Sequence, residues 1–253
     1  MQCYGLTQNP LNGSYMLVMR QLDINLRKYL QQNHNQLTWK ERIQIACNII
    51  EAVKSIHREN AIHRDLHSGN ILYKIFWNIS DLGFCGPADK PLNSIYGNLP
   101  YIAPEVIAGK GYTFASDIYS IGMLMWEISS GQPPFSNYEH DYYLATNIIN
   151  GLRPKIVPGI PLEYESLMKQ CWDANPLERP DVDTLLKEMD EIRLYYQNKN
   201  EEQKMHSSIN NSQLKQNLNV SSNSINSLVR NFSSKIYNFK DMPEPKNATE
   251  GKY

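Results

Sequence analysis

A chain of 253 residues with 41% hydrophobic residues can bury one sizeable core, and a formal net charge of −1 argues against a nucleic-acid grip built on bulk positive charge. Cys3, Cys47, Cys85 and Cys171 are too widely separated for a metal-ligand spacing and read as reduced thiols. No apolar run is long enough to span a bilayer and no secretory leader is read at Met1, so a cytoplasmic location is expected.

In chain order, Cys3 to Leu6 and Tyr15 to Met19 read as two strands separated by Pro10 and Asn12-Gly13. Asn25 to Gln32 has Leu26, Tyr29 and Leu30 at helical spacing. A longer helix opens on a Thr38/Glu41 capping box and runs to about Arg58, with apolar faces (Ile45, Ile49, Ala52, Ile56 and Ile43, Cys47, Ile50) broad enough to predict burial within a helical lobe. It delivers the chain into a turn-rich loop, His63-Arg64-Asp65-Leu66-His67-Ser68-Gly69-Asn70. Two short strands, Ile71 to Tyr73 and Trp77 to Ile79, present Asp81 just beyond them.

From Asp81 to Glu105 the chain is rich in Gly and Pro, and a segment of that length without regular structure is usually functional or disordered. A nearly continuous apolar helix follows over Ser116 to Ile128, with Ser116 or Asp117 near its cap, and Gly131 to Phe135 stops it. Further helices are predicted near Tyr142 to Ile149, Leu162 to Trp172 and Asp181 to Tyr196. Residues 199–253 are rich in Asn and Ser without a sustained period and read as a disordered tail; the piece Phe232 to Phe239, apolar at alternating intervals, is expected to stay solvated.

The chemistry concentrates in the loop. An Asp oxygen can orient an incoming hydroxyl, and a carboxamide five residues on, with a second carboxylate at Asp81, supplies hard oxygen ligands for a phosphate-bound Mg²⁺. A loop Asp and Asn also cap turns without any chemistry, so these residues alone leave both readings open.

Followed by Asp81-Leu82-Gly83, Ala103-Pro104-Glu105 and the closing Cys171-Trp172, Asn175-Pro176 and Arg179-Pro180 pairs, this loop resembles the catalytic half of a protein kinase of the tyrosine-kinase-like group. The resemblance implies a mainly α, protein-kinase-like α+β fold: residues 1–22 a remnant of the small lobe and hinge, 23–198 the large lobe, 199–253 the tail. It implies ATP and Mg²⁺ as cofactors and a protein substrate; that no nucleic acid is bound and no membrane segment is present follows from the charge and the apolar runs above. Asp65 is then the catalytic base, Asn70 and Asp81 the Mg²⁺ ligands, and Met19, Gln21, Leu22 and Leu72 the lining of the adenine pocket. His63 and Leu82 are implied apolar contacts, and Asp117 an acceptor for the loop backbone. Glu105 and Arg179 form an ion pair, and Ser94 and Tyr96 are phosphorylation sites within reach of Arg64.

This sequence departs from the family's pattern in places. His67 and Asn98 stand where serine/threonine kinases usually have Lys and Thr, and the tyrosine-kinase loop pattern is also missing, so which hydroxyl is phosphorylated stays open. No Gly-x-Gly-x-x-Gly loop or Val-Ala-x-Lys strand precedes Cys3, and Lys28 and Lys40 follow the hinge. Without those donors to the phosphates, phosphoryl transfer by this chain is expected to be very weak or absent. The competing expectations are a non-catalytic pseudokinase or truncated fragment that binds partners, and a small-molecule phosphotransferase, whose Asp-x-His-x-Gly-Asn loop residues 65–70 also resemble. The 103–105, 117 and 179–180 motifs speak against the last.

Overall fold

The computed structural model describes residues 3–87, 95–207, 233–239 and 242–247; side chains of the 199–207 backbone are not described. Strands β1 (Cys3–Gln8) and β2 (Tyr15–Met19) form an antiparallel hairpin, exposed along its whole length. The chain leaving it enters β3 (Ile24–Asn25), which pairs with β5 (Ile71–Tyr73), itself paired with β6 (Trp77–Ile79). Between these lie α1 (Leu26–Asn33), α2 (Trp39–Arg58) and β4 (Ala61–Ile62).

Helix α2 begins as its capping box requires: Glu41 Oε2 accepts from Thr38 N–H at 2.7 Å, and Thr38 Oγ1 accepts from Glu41 N–H at 3.3 Å. Ile43, Ile45, Cys47, Ile49, Ile50 and Val53 are buried, while Ala52 and Ile56 pack at the margin. Against it lies α4 (Phe114–Ser130), whose residues Ser116 to Ser129 are all buried. Arg42 joins the two, donating to Ile128 O at 3.0 Å and Ser129 O at 2.7 Å, carbonyls that a helix end leaves without intrahelical donors. Thr113, not Ser116 or Asp117, is the N-cap of α4; Ser116 instead accepts back from Thr113 N–H at 3.1 Å.

The segment after Asp81 contains a 3-10 turn (Leu82–Phe84), then β7 (Gly86–Pro87), which pairs with β4, and β8 (Ile95–Gly97). Helix α3 (Pro104–Ile107) follows, and α5 (Tyr142–Ile149), α6 (Leu162–Cys171) and α7 (Val182–Ser207) complete the lobe. The last helix runs past its predicted end at Tyr196. Within the tail, Lys235–Tyr237 is strand β9, paired antiparallel with β8. The expectation that Phe232 to Phe239 stays solvated is therefore corrected over residues 233–239. Local composition carries no signal for the groove that buries Tyr237 and orders this piece.

Candidate active site

The loop that carries Asp65 is fixed from behind. Asp117, on the first turns of α4, accepts from His63 N–H at 2.8 Å and from Arg64 N–H at 3.0 Å, and His57 Nε2 lies 3.0 Å from the same carboxylate. That grip matters because Arg64 has a φ of 72°, a conformation that costs a non-glycine residue on the order of 1–3 kcal/mol. The Arg64 guanidinium supplies a second hold, donating to Pro87 O at 2.8 Å and Phe84 O at 3.4 Å.

His63 is fully buried between the loop and the end of β6. Asp65 N–H donates to its Nδ1 at 3.3 Å, which leaves the proton of the neutral ring on Nε2, 3.1 Å from Ser80 O. Burial lowers its pKa below the ordinary value, against the pull of Asp117, and keeps the ring neutral. The ring is thus a polar strut, where the resemblance implied an apolar contact. Leu82 also differs from its implied apolar contact: it is half exposed, because Asp81 adopts a left-handed φ of 58° and opens the 3-10 turn outward.

Glu127 is a residue that the sequence reading passed over. Fully buried on α4, it accepts from Ser68 Oγ at 2.7 Å and Tyr101 Oη at 2.6 Å, while Arg27 Nε lies 3.9 Å away and donates to Ser68 Oγ at 3.1 Å. Burial raises its pKa, with Arg27 opposing. A carboxylate in the apolar second half of a buried helix is the available signal, since an acid is rarely buried without partners.

At the front, Asp65 is 3% exposed. Asn70 Nδ2 donates to Asp65 O at 3.0 Å and Asp65 Oδ2 at 3.3 Å, which leaves Asn70 Oδ1 as the atom able to meet a cation. Ser80 N–H and Oγ both donate to Asn70 O, at 2.8 and 2.9 Å, so the β5–β6 ladder sets Asn70 beside the residue that precedes Asp81. Asp81 is exposed. One carboxamide oxygen and one open carboxylate suit Mg²⁺, which takes few protein ligands and completes its shell with water and phosphate oxygens.

His67 borders the same carboxylate. Gly69 N–H donates to His67 Nδ1 at 3.0 Å, so the neutral ring carries its proton on Nε2, 3.7 Å from Asp65 Oδ1. A Cβ at Gly69 would stand 2.7 Å from this ring, so glycine is what admits it. Facing both is Ser234 of the tail, whose Oγ donates to Asp65 Oδ1 at 2.8 Å and lies 3.1 Å from His67 Nε2.

On the hairpin side, Asp23 N–H donates to Tyr73 O at 2.9 Å and seats the chain leaving the hairpin on β5. Leu72 lies opposite Asn25 and is half-buried, as is Leu22, whereas Met19 and Gln21 are exposed. On the other side, Arg179 donates to both Glu105 oxygens at 2.7 Å, and two further N–H groups donate to Ala115 O and Asp173 O at 2.8 Å. The Tyr96 ring stacks on Phe84 with centroids 3.5 Å apart, and burial, Asp65 and Asp81 raise its pKa. Ser94 lies outside the described residues.

A helical lobe in which a buried carboxylate braces a His-Arg-Asp loop, and an Ala-Pro-Glu glutamate is stapled to a distant arginine, is the large lobe of a protein kinase. Residues 1–189 match the family model described as protein tyrosine and serine/threonine kinase, and the chain belongs to that family. The dual serine/threonine and tyrosine protein kinase of Homo sapiens is 34% identical over 171 residues, 65% of this chain and 18% of its own. The probable serine/threonine-protein kinase roco8 of Dictyostelium discoideum is 32% identical over 196 residues, 71% of this chain and 10% of its own. The chain therefore spans less than a fifth of the length of these relatives.

Proposed function

We propose that this lobe carries the acceptor side of ATP-dependent phosphoryl transfer to hydroxyl groups of protein substrates, in the cytoplasm. The contact of Asp65 with Asn70, on a loop braced by Asp117, supports this reading most strongly. Asp65 orients the acceptor hydroxyl and takes its proton at a carboxylate oxygen. Asn70 holds that carboxylate in place with Nδ2 and turns Oδ1 toward a cation, with Asp81 as the second ligand. Bound Mg²⁺ would neutralise phosphate charge there. Met19, Gln21, Leu22 and Leu72 are the adenine-side contacts of this reading, and Tyr96 is its regulatory phosphorylation site.

Donors to the α- and β-phosphates supply the electrostatic part of such a rate, and losing one lowers it by on the order of 10²–10³. Transfer of label from ATP to a generic protein substrate in Mg²⁺ is expected, and it should vanish in Asp65→Asn. Transfer that survives Asp65→Asn overturns the assignment. A second reading, a partner-binding module without catalysis, predicts no transfer in either protein.

A further inference from the structure

Residues 233–239 lie across the face where an acceptor would approach Asp65, with Ser234 on its carboxylate. Strand β9 pairs with β8 in the register Ile95↔Tyr237, Tyr96↔Ile236 and Gly97↔Lys235. Tyr96 gives its N–H to Tyr112 Oη at 3.0 Å and accepts from the same hydroxyl, so the ladder bonds fall on the flanking pairs. Gly97 permits the approach: with φ at +140°, a Cβ there would stand 3.3 Å from Asp65 Oδ1.

Downstream contacts continue the track. Tyr237 is 9% exposed and stacks on Phe239 at 5.4 Å, and Phe239 meets Tyr142 edge-on at 6.2 Å. Glu244 pairs with Lys110, and Lys246 N–H donates to Ile149 O at 2.8 Å. Asn247 closes the path, accepting from Ala174 N–H at 2.7 Å and donating to Asp173 at 3.0 Å. A strand added to a sheet edge, with one side chain in a pocket, is how extended peptides are recognised.

We propose that residues 233–239, with 242–247 seated beyond them, are an intramolecular substrate strap, with Ser234 the phosphoacceptor of the Asp65 centre. The inference rests on the phosphotransfer reading above and adds the kind of acceptor to it. With the Nε2 proton of His67 directed at Ser234 Oγ, the serine proton is left to the Asp65 carboxylate. A phenol, standing several ångströms farther from its backbone, would require the strap to lift off β8, so the site as docked takes an aliphatic hydroxyl. In the reaction, Ser234 Oγ bonds to the γ-phosphorus of ATP and the bond to the bridging oxygen breaks. ADP leaves, and the serine proton passes to Asp65 and then to water. A single turnover per chain modifies the strap, so even a slow centre shows it. The pairing also states a preference for other substrates: a serine with an aromatic residue three positions later, as in Ser234 and Tyr237.

Docking is tested without catalysis, by hydrogen exchange on the full chain. Tyr237→Ala removes the buried ring, and Lys235→Pro removes an N–H from a bonded pair. Both variants are expected to speed exchange over residues 95–97 about tenfold or more while peptides of α2 and α4 stay unchanged. Unchanged exchange over 95–97 in both overturns the strap and leaves the kinase reading standing.

Transfer is tested by incubating the full chain with Mg²⁺ and γ-labelled ATP and mapping the label. Label on Ser234 is expected, at a rate independent of protein concentration and absent in Asp65→Asn. Label on a generic substrate without label on Ser234 overturns the acceptor assignment alone. A rate that rises with protein concentration overturns its intramolecular character. Label on neither overturns the phosphotransfer reading together with the acceptor role.

Discussion

Two antiparallel ribbons, β1–β2 and β8–β9, are each made of one strand pair, yet one is exposed from end to end and the other is seated on a core. The first carries more apolar side chains: Leu6, Leu17 and Val18 are 70%, 54% and 42% exposed. The second places Tyr237 in the lobe and borrows the fixed backbone of residues 95–97. An isolated hairpin is marginal in water, so what stabilises a ribbon is the surface beneath it. The contrast locates the order of the candidate site in the helical lobe, and the following predictions break or sharpen it in order of size.

The largest effect comes from breaking the buried ion pair that ties the segment after β8 to the lobe. Arg179→Ala leaves Glu105 buried without its bidentate partner, and breaking such a pair from one side costs about 3–5 kcal/mol. Chemical denaturation should show that loss, with the strap released in the same transition. Gly97→Ala acts more locally: at a φ of +140° a side chain is strained, and its Cβ crowds Asp65 and Ile102. A cost on the order of 1–3 kcal/mol is expected. Faster exchange over 233–239 with α4 peptides unchanged is the accompanying observation.

The same division separates what could be read from the sequence from what could not. The Thr38/Glu41 box, the α2 stripe and the apolar α4 are governed by local pattern, and the loop motif with its spacing to Asp81 named the family. The pairing of Glu105 with Arg179 is legible in the sequence, because the two motifs that hold them recur together. The cap of α4 is not legible in the sequence, because Ser116 and Asp117 are both good capping residues and only backbone geometry separates Thr113 from them. Leu82 was placed inward by analogy, whereas the left-handed Asp81 turns it out. Ser234 was invisible: a serine in a polar tail acquires meaning only from a groove 169 residues away in sequence.

A smaller effect follows from His63, which couples the lobe to the β6 end without touching either ribbon. Its folded pKa is depressed by burial, so the unfolded chain binds the proton first. Stability is therefore fully present above the ordinary histidine value of 6.5, falls as pH drops through it, and levels off below the folded pKa. Asp117 and Asp65 narrow this window by pulling the pKa back up, and His67 widens it. Denaturant midpoints measured downward from pH 7.5 should trace that decline, and His63→Gln should flatten it; an identical decline in the variant would assign it to other groups.

The smallest effect is expected at the hairpin, and its smallness is the point. Leu17→Ser removes an apolar side chain that is 54% exposed and packs against no core. Exposed substitutions away from caps and cores usually change stability by no more than about 0.5 kcal/mol. The denaturation midpoint of this chain should stay where it is, although the same change in a buried strand would cost several times more. Exposed apolar strands with unpaired edges also promote association between copies, so the variant should remain monodisperse at higher concentration in light scattering. A large loss of stability in Leu17→Ser would mean that the hairpin is buried in solution, and that the two ribbons differ less than their exposures imply.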